Sequence, residues 1–203
     1  MSFLFSWLWL GMSDTVRFWI LNGSSKLQEK RLRRILVTGK LGRGKTTYVK
    51  SLIKQASETG EQVFILDFFG EYKCLAGPTV YPYGHTDRLD FFLDVVWKYS
   101  STRARTLVVF DEVHQYTQPG EVPGWLLTKF VKLFRFSRHR KIEFICIGQS
   151  LVDVPPRIRR LIEEFCFFQT TEPADLAVIR QRWGDQTAEK ISTLQLFQYV
   201  LLN

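Results

Sequence analysis

The chain has 203 residues, 45% of them hydrophobic and 24% charged, which is globular composition in one domain of ample core size and excludes disorder. Lys and Arg number 28 against 20 Asp and Glu, a net charge of +8 that favours an anionic partner such as nucleic acid. Three cysteines, Cys74, Cys146 and Cys166, lack any C-x-x-C spacing and are expected to be reduced, with no zinc site.

In chain order, the first twelve residues are apolar and aromatic (Phe3, Leu4, Phe5, Trp7, Leu8, Trp9, Leu10) without a charged side chain. Asp14 and Arg17 cut this stretch too short for a spanning helix. It also lacks the basic start and cleavage site of a signal peptide. It is expected either to pack on the protein itself or a neighbouring subunit, or to lie in a membrane interface. Arg17–Leu21 before Asn22-Gly23 predicts a short strand. Lys26 to Arg34 then carries five basic residues among nine. Residues 1–30 are taken as an extension and 31–203 as the main domain.

Ile35-Leu36-Val37-Thr38 predicts a strand, and Val49, Leu52, Ile53 and Ala56 predict a helix stopped by Gly60. Between them lies Gly39-Lys40-Leu41-Gly42-Arg43-Gly44-Lys45-Thr46, a G-x-x-x-x-G-K-T loop of Walker A type. A strand delivering such a loop to a helix N-terminus aims free N–H groups at a polyphosphate, and glycine lets the backbone close around it. Gly39, Lys40, Gly42, Arg43, Gly44, Lys45, Thr46 and Thr47 are therefore the candidate ATP-binding residues. Lys45 is expected to reach the β- and γ-phosphates, and Thr46 to ligate Mg²⁺. Lys40 reads either as a phosphate contact or as a solvated lysine.

Strands are also predicted at Val63–Asp67, Leu107–Asp111, Glu143–Gly148, Phe165–Gln169 and Leu196–Leu201. Helices are predicted from Thr86 to Trp97, from Pro123 to Phe136 and from Pro173 to Trp183. The alternation predicts an α/β fold, a mainly parallel sheet flanked by helices. Leu107-Val108-Val109-Phe110 sets Asp111 and Glu112 at the carboxyl end of a buried strand, where such sheets keep their ligands. Asp111 is expected to support Mg²⁺ through water, and Glu112 to polarise the water that attacks the γ-phosphate. Gln149 ends the next strand within reach of the same water, or else caps a turn. Asp67 and Glu71 either tune the site or turn the chain through Gly70. Lys132 to Lys141 holds five Lys or Arg and a His in ten residues, which suits a phosphate backbone or the solvated face of a helix. The polar loop Gln115 to Glu121 is a second candidate for nucleic-acid contact.

The loop at 39–46, the Asp-x-x-Gly-Glu-Tyr of 67–72, the Asp111-Glu112 pair and Gln149 occur in the order of the HerA–FtsK group of DNA-pumping ATPases. The basic turn Ser137-Arg138-His139-Arg140-Lys141 resembles that group's turn at the same place. So does the tail from Phe167-Phe168 through Glu172-Pro173-Ala174-Asp175 to Trp183-Gly184, Ile191, Leu194 and a final strand. The resemblance covers residues 34 to 202. It implies a RecA-like P-loop core acting as a homo-oligomeric ring, commonly a hexamer, on double-stranded DNA. A chain this small is similar to the genome-packaging ATPases of membrane-containing icosahedral viruses, such as the turreted icosahedral viruses of Sulfolobus. That implies work in the host cytoplasm or at a capsid vertex, beside capsid or internal-membrane proteins. A ring also implies an arginine supplied by the neighbouring subunit; Arg138 and Arg140 lead the candidates, ahead of Arg157 and Arg159. The alternatives are a HerA-like repair translocase working with a nuclease, a P-loop kinase or phosphotransferase, and a nucleotide-gated scaffold.

Overall fold

Among the described residues, alternate residues of each strand go to opposite faces of one seven-stranded sheet, and this parity organises the fold. The structure, a computed structural model, describes residues 32–82, 86–100, 103–118, 120 and 122–203. The expected extension at 1–30, with its strand at 17–21, lies outside the described residues, as does most of the basic stretch from Lys26. In chain order come β1 (Arg34–Thr38), α1 (Lys45–Glu58), β2 (Gln62–Asp67), β3 (Thr79–Pro82), α2 (Thr86–Tyr99) and β4 (Thr106–Phe110). A 3₁₀ turn (Val113–Tyr116), α3 (Gly124–Phe136), β5 (Ile142–Ile147), α4 (Pro156–Arg159) and β6 (Glu164–Phe167) follow. The chain closes with α5 (Pro173–Trp183), α6 (Asp185–Ser192) and β7 (Val200–Leu202).

The sheet order is β3-β2-β4-β5-β1-β6-β7. Every pair is parallel except β6 with β7. Strands β4, β5 and β1 are therefore consecutive in its middle, and their carboxyl ends open on one edge. On one face Leu36, Phe64, Leu66, Val108, Phe110, Phe144 and Cys146 pack with residues of α2, α3, α5 and α6. On the other face Ile35, Val37, Val63, Ile65, Val109, Ile145 and Ile147 meet Val49, Ile53 and Ala56 of α1. Continuous apolar runs are what burial on both faces demands of a parallel strand. No helix among the described residues is long and apolar enough to cross a membrane.

Phenylalanines fill the thicker side of the core. The Phe144 ring stacks on Phe134 with centroids 4.0 Å apart, and Phe110 lies 6.1 Å from each. Phe144→Ala is expected to lower unfolding free energy by about 3–5 kcal/mol through lost burial and a residual cavity. Urea titration with far-UV dichroism measures it.

The opposite edge, at the strands' amino ends, is pinned by ion pairs. Glu143, buried, takes Arg105 at 2.8 Å and Arg33 at 3.4 Å. Glu163 takes Arg34 at 2.6 Å and Arg138 at 2.7 Å, and these guanidinium partners hold its carboxyl below the ordinary value although burial opposes them. Across α2 and α3, Lys129 bridges Asp90 and Asp94.

Three expectations need correction. The closing strand begins at Val200, not Leu196, because Gln195–Tyr199 forms a turn in which Phe197 has a φ of +64°, which no strand tolerates. The β6 ladder stops at Phe167, two residues before the expected end at Gln169, although Phe168 N–H still donates to Thr38 O. Strand β3, the short α4 and helix α6 were not expected. Thr79–Pro82 has no apolar alternation because it is a half-exposed edge strand, where its proline is tolerated.

Candidate functional site

The loop after β1 is shaped by glycines at two critical places. Gly39 has a φ of +137°, and a Cβ there would lie 2.7 Å from Phe168 Cβ. Gly44 has a φ of +103° and leads directly into Lys45 at the start of α1. Backbone bonds hold the loop to its neighbours, Lys40 N–H on Gln169 O at 2.8 Å and Phe197 N–H on Arg43 O at 3.2 Å. Lys40, Leu41, Gly42 and Thr47 are exposed, while Arg43, Gly44 and Thr46 are half-buried. Lys45 is only 7% exposed, and its Nζ donates to Gly39 O at 2.6 Å and Lys40 O at 3.0 Å. Burial lowers its pKa, against the pull of Glu112, Asp111 and Glu71.

Two strands from β1, the end of β4 presents the carboxylates. Asp111 N–H donates to Leu66 O at 3.0 Å, which keeps the chain in register one residue past the strand. The Asp111 side chain is buried, and burial first, then Glu112 and Asp67, pushes its pKa up to about 7. Phe68 N–H, donating to Oδ2 at 3.3 Å, works the other way. Glu112 then turns left-handed, with φ +48° and ψ +55°. That conformation is costly for a residue with a Cβ and is held by the structure around it. Gln115 N–H bonds Glu112 O, Thr117 Oγ1 donates to Val113 O, and the buried Tyr116 hydroxyl donates to Asp111 O.

The left-handed turn aims Glu112 at the strand between, β5. There Gln149 Nε2 donates to Glu112 Oε1 at 3.1 Å. Gly148 N–H, bonded to Val37 O at 3.0 Å, fixes the root of that residue against β1. Asp175 braces the same loop from behind: its buried carboxylate accepts from Ser150 Oγ at 2.8 Å and Val152 N–H at 3.0 Å. Lys45, Asp111, Glu112 and Gln149 are thus brought to one sheet edge, with Thr46 beginning the adjacent helix. Asp67 does both: its carboxylate accepts the N–H groups of Gly70, Glu71 and Tyr72 at 2.8, 3.0 and 3.1 Å, and its charge adds to the rise of the Asp111 pKa. Glu71 is exposed and acts on Asp111 and Lys45 only by charge.

Two further residues stand at the site: His114, which carried no sequence signal, and Tyr72, the last residue of the 67–72 motif. His114 Nδ1 faces Glu112 Oε2 at 3.3 Å, without the alignment of a full hydrogen bond. Its Nε2 lies 2.9 Å from the Gln115 amide nitrogen. His114 and Glu112 stand together only because Glu112 is left-handed. Tyr72, fully buried, has a hydroxyl with no completed hydrogen bond; Thr46 approaches it, and burial raises its pKa.

Arg138 and Arg140 are not brought to this edge. They precede β5 and lie at the amino ends of the strands. The Arg138 side chain is 66% exposed and bound to Glu163. Arg140 donates to Ser100 Oγ and O and stacks over Trp97 at 4.3 Å. Within the basic run, Lys132, Arg135 and Lys141 stand exposed. Cys146 and Cys166 are buried and Cys74 is exposed; burial raises both buried thiols.

A family model described as the central domain of the helicase HerA matches residues 25–119. Among solved structures, the chain is similar to the genome packaging NTPase B204 from Sulfolobus turreted icosahedral virus 2, in complex with ATP-gammaS. The TM-score is 0.68 at 18% identity, covering 84% of this chain and 92% of that one. It is also similar to the pCW3 conjugation coupling protein TcpA, in its monomer form with ATPgS, at a TM-score of 0.63, 16% identity and coverages of 89% and 60%. ATPases 2 and 3 of EssC from Geobacillus thermodenitrificans give 0.52 at 15% identity, covering 66% and 31%. Among curated proteins, none matches the sequence. The fold is thus a RecA-like P-loop core, and over residues 25–119 the chain resembles the HerA central domain.

Proposed function

We propose that the chain is a Mg²⁺-dependent ATPase that works as a ring, translocates double-stranded DNA and loads a genome into a preformed capsid. The observation that carries the hydrolytic part is the Gln149–Glu112 contact at 3.1 Å on the edge that also bears Lys45. A loop that only bound nucleotide would have no use for a strained, buried carboxylate held by a neighbouring amide. In this reading the N–H groups at the start of α1 and Lys45 grip the phosphates. Glu112 accepts the proton of the attacking water, and Gln149 orients that water.

The donors fit Mg²⁺, a hard cation that prefers oxygen. Thr46 supplies a hydroxyl and Asp111 a carboxylate; burial first, and then the charge of Glu112 and Asp67, raises Asp111, and a dication would offset both. Bound there, the ion would screen the phosphate charge.

The DNA and packaging parts rest on B204 of Sulfolobus turreted icosahedral virus, which is described as a DNA-packaging ATPase and overlaps 83% of this chain. The exposed Lys132, Arg135 and Lys141 offer a backbone-binding face without base reading. Of the arginines proposed to complete a neighbour's site, Arg138 is the freer and Arg140 the more firmly held.

The test is ATP turnover with and without duplex DNA, on protein whose assembly is followed by native mass spectrometry. Stimulation by duplex together with ring formation is expected, and a monomer indifferent to DNA overturns the reading. If those three basic residues each neutralise one phosphate, the salt slope per subunit is about −2.7, so DNA affinity falls about 40-fold between 50 and 200 mM salt. A flat salt response counts against backbone threading. The HerA family match favours a second reading, a repair translocase acting with a nuclease. Copurification with a nuclease, rather than with capsid or membrane proteins, selects it.

A further inference from the structure

The turn Gln195–Tyr199, between α6 and β7, is built against the phosphate loop. Phe197 N–H is bonded to Arg43 O, and the edge of its ring lies over Gly44, so close that a Cβ on Gly44 would sit 2.4 Å from Phe197 Cδ1. The turn is braced on both sides. Gln195 N–H donates to the Gln198 side chain at 3.0 Å, Gln198 N–H donates to Gln195 O at 3.1 Å, and the Tyr199 ring packs on Tyr48 and Phe168 at 4.7 and 5.6 Å.

Phe197 itself is anomalous. Its φ of +64° is unfavourable for any residue with a side chain, and most of all for a bulky one. Burial of the ring would offset that strain, yet Phe197 is 60% exposed, and its neighbour Leu196 is 51% exposed. An aromatic ring is therefore held outward, at a conformational cost, on the rim of the loop that grips phosphates.

We propose that Phe197 is the stacking platform for the base of the bound nucleoside triphosphate, an inference that rests on the ATPase reading. With the phosphates at the start of α1, the base lies one ribose beyond the α-phosphate and needs an apolar face to leave water. The exposed Phe197 ring, continuous with the loop through Arg43 and Gly44, supplies that face. Every base has a π-face, so stacking favours nucleotides over bare polyphosphate while discriminating little among bases, with the larger purines ahead.

The experiment is calorimetric titration of ATP, CTP and inorganic tripolyphosphate into the full chain and into Phe197→Gly, which accepts the same φ without a ring. Wild type is expected to bind ATP more tightly than CTP, and about tenfold or more tighter than tripolyphosphate. Phe197→Gly should lose most of that margin while keeping its tripolyphosphate affinity, and Phe197→Trp should retain it. Should Phe197→Gly not fold, Phe197→Asn serves, since asparagine tolerates the left-handed region. Undiminished preference for ATP over tripolyphosphate in a folded ringless variant overturns the platform and leaves the ATPase reading standing. Failure of wild type to bind either ligand overturns the ATPase reading, and the platform with it.

Discussion

Lys45→Ala is expected to bring ATP turnover to background, a loss of at least about a hundredfold. The reason is local. Lys45 Nζ already lies inside the loop, bonded to Gly39 O and Lys40 O, so the charge is delivered to the cradle without reorganisation. It is also the cation that faces Asp111, Glu112 and Glu71. Its removal takes away phosphate attraction and leaves those carboxylates to repel the incoming anion. Nucleotide affinity should fall together with turnover, which calorimetry measures. A variant that binds ATP normally would place the phosphates elsewhere.

Glu112→Gln should separate what Lys45→Ala destroys together. The amide keeps the shape of the carboxylate, so the left-handed turn at 112 and the contact with Gln149 stay geometrically possible. Binding should persist, since the phosphate-gripping groups are untouched, while hydrolysis falls about 10²- to 10⁴-fold with the loss of the proton acceptor. Single-turnover assays with radiolabelled ATP distinguish slowed chemistry from slowed release. Turnover within about threefold of wild type would remove Glu112 from the role of general base.

The frame of the site was legible because it is written in contiguous residues. A buried strand leaves a continuous apolar run, a phosphate loop leaves glycines and a lysine, and a strand end leaves a polar residue after that run. Leu107–Phe110 followed by Asp111 and Glu112 is such a case, and Ile142–Ile147 before Gln149 is another. What stayed hidden depends on torsion angles or distant contacts. His114 reaches Glu112 only through a backbone turn that no spacing rule anticipates. Phe197 reads as part of a largely apolar closing strand from Leu196 until its φ is known. Edge strand β3 escaped because a half-exposed strand ending in proline leaves no periodic trace. Arg138 and Arg140 were identifiable as a basic turn, but only the sheet's polarity places them at the strand ends away from Lys45.

The central position of β1 has a consequence for how the chain is made. Its apolar residues pair with β5 about 110 residues later in the chain, and with β6 later still. At ordinary synthesis rates the ribosome needs roughly 5 to 20 s to make those 110 residues. Throughout that interval Ile35, Leu36 and Val37 wait beside partners that do not yet exist, and so distant a pairing is slow to close. The loop that follows waits longer, since two of its backbone bonds run to Gln169 and Phe197. The loop at 39–46 is thus translated well before the segments that shape it: two of its backbone bonds can form only after Gln169 and Phe197 have been made.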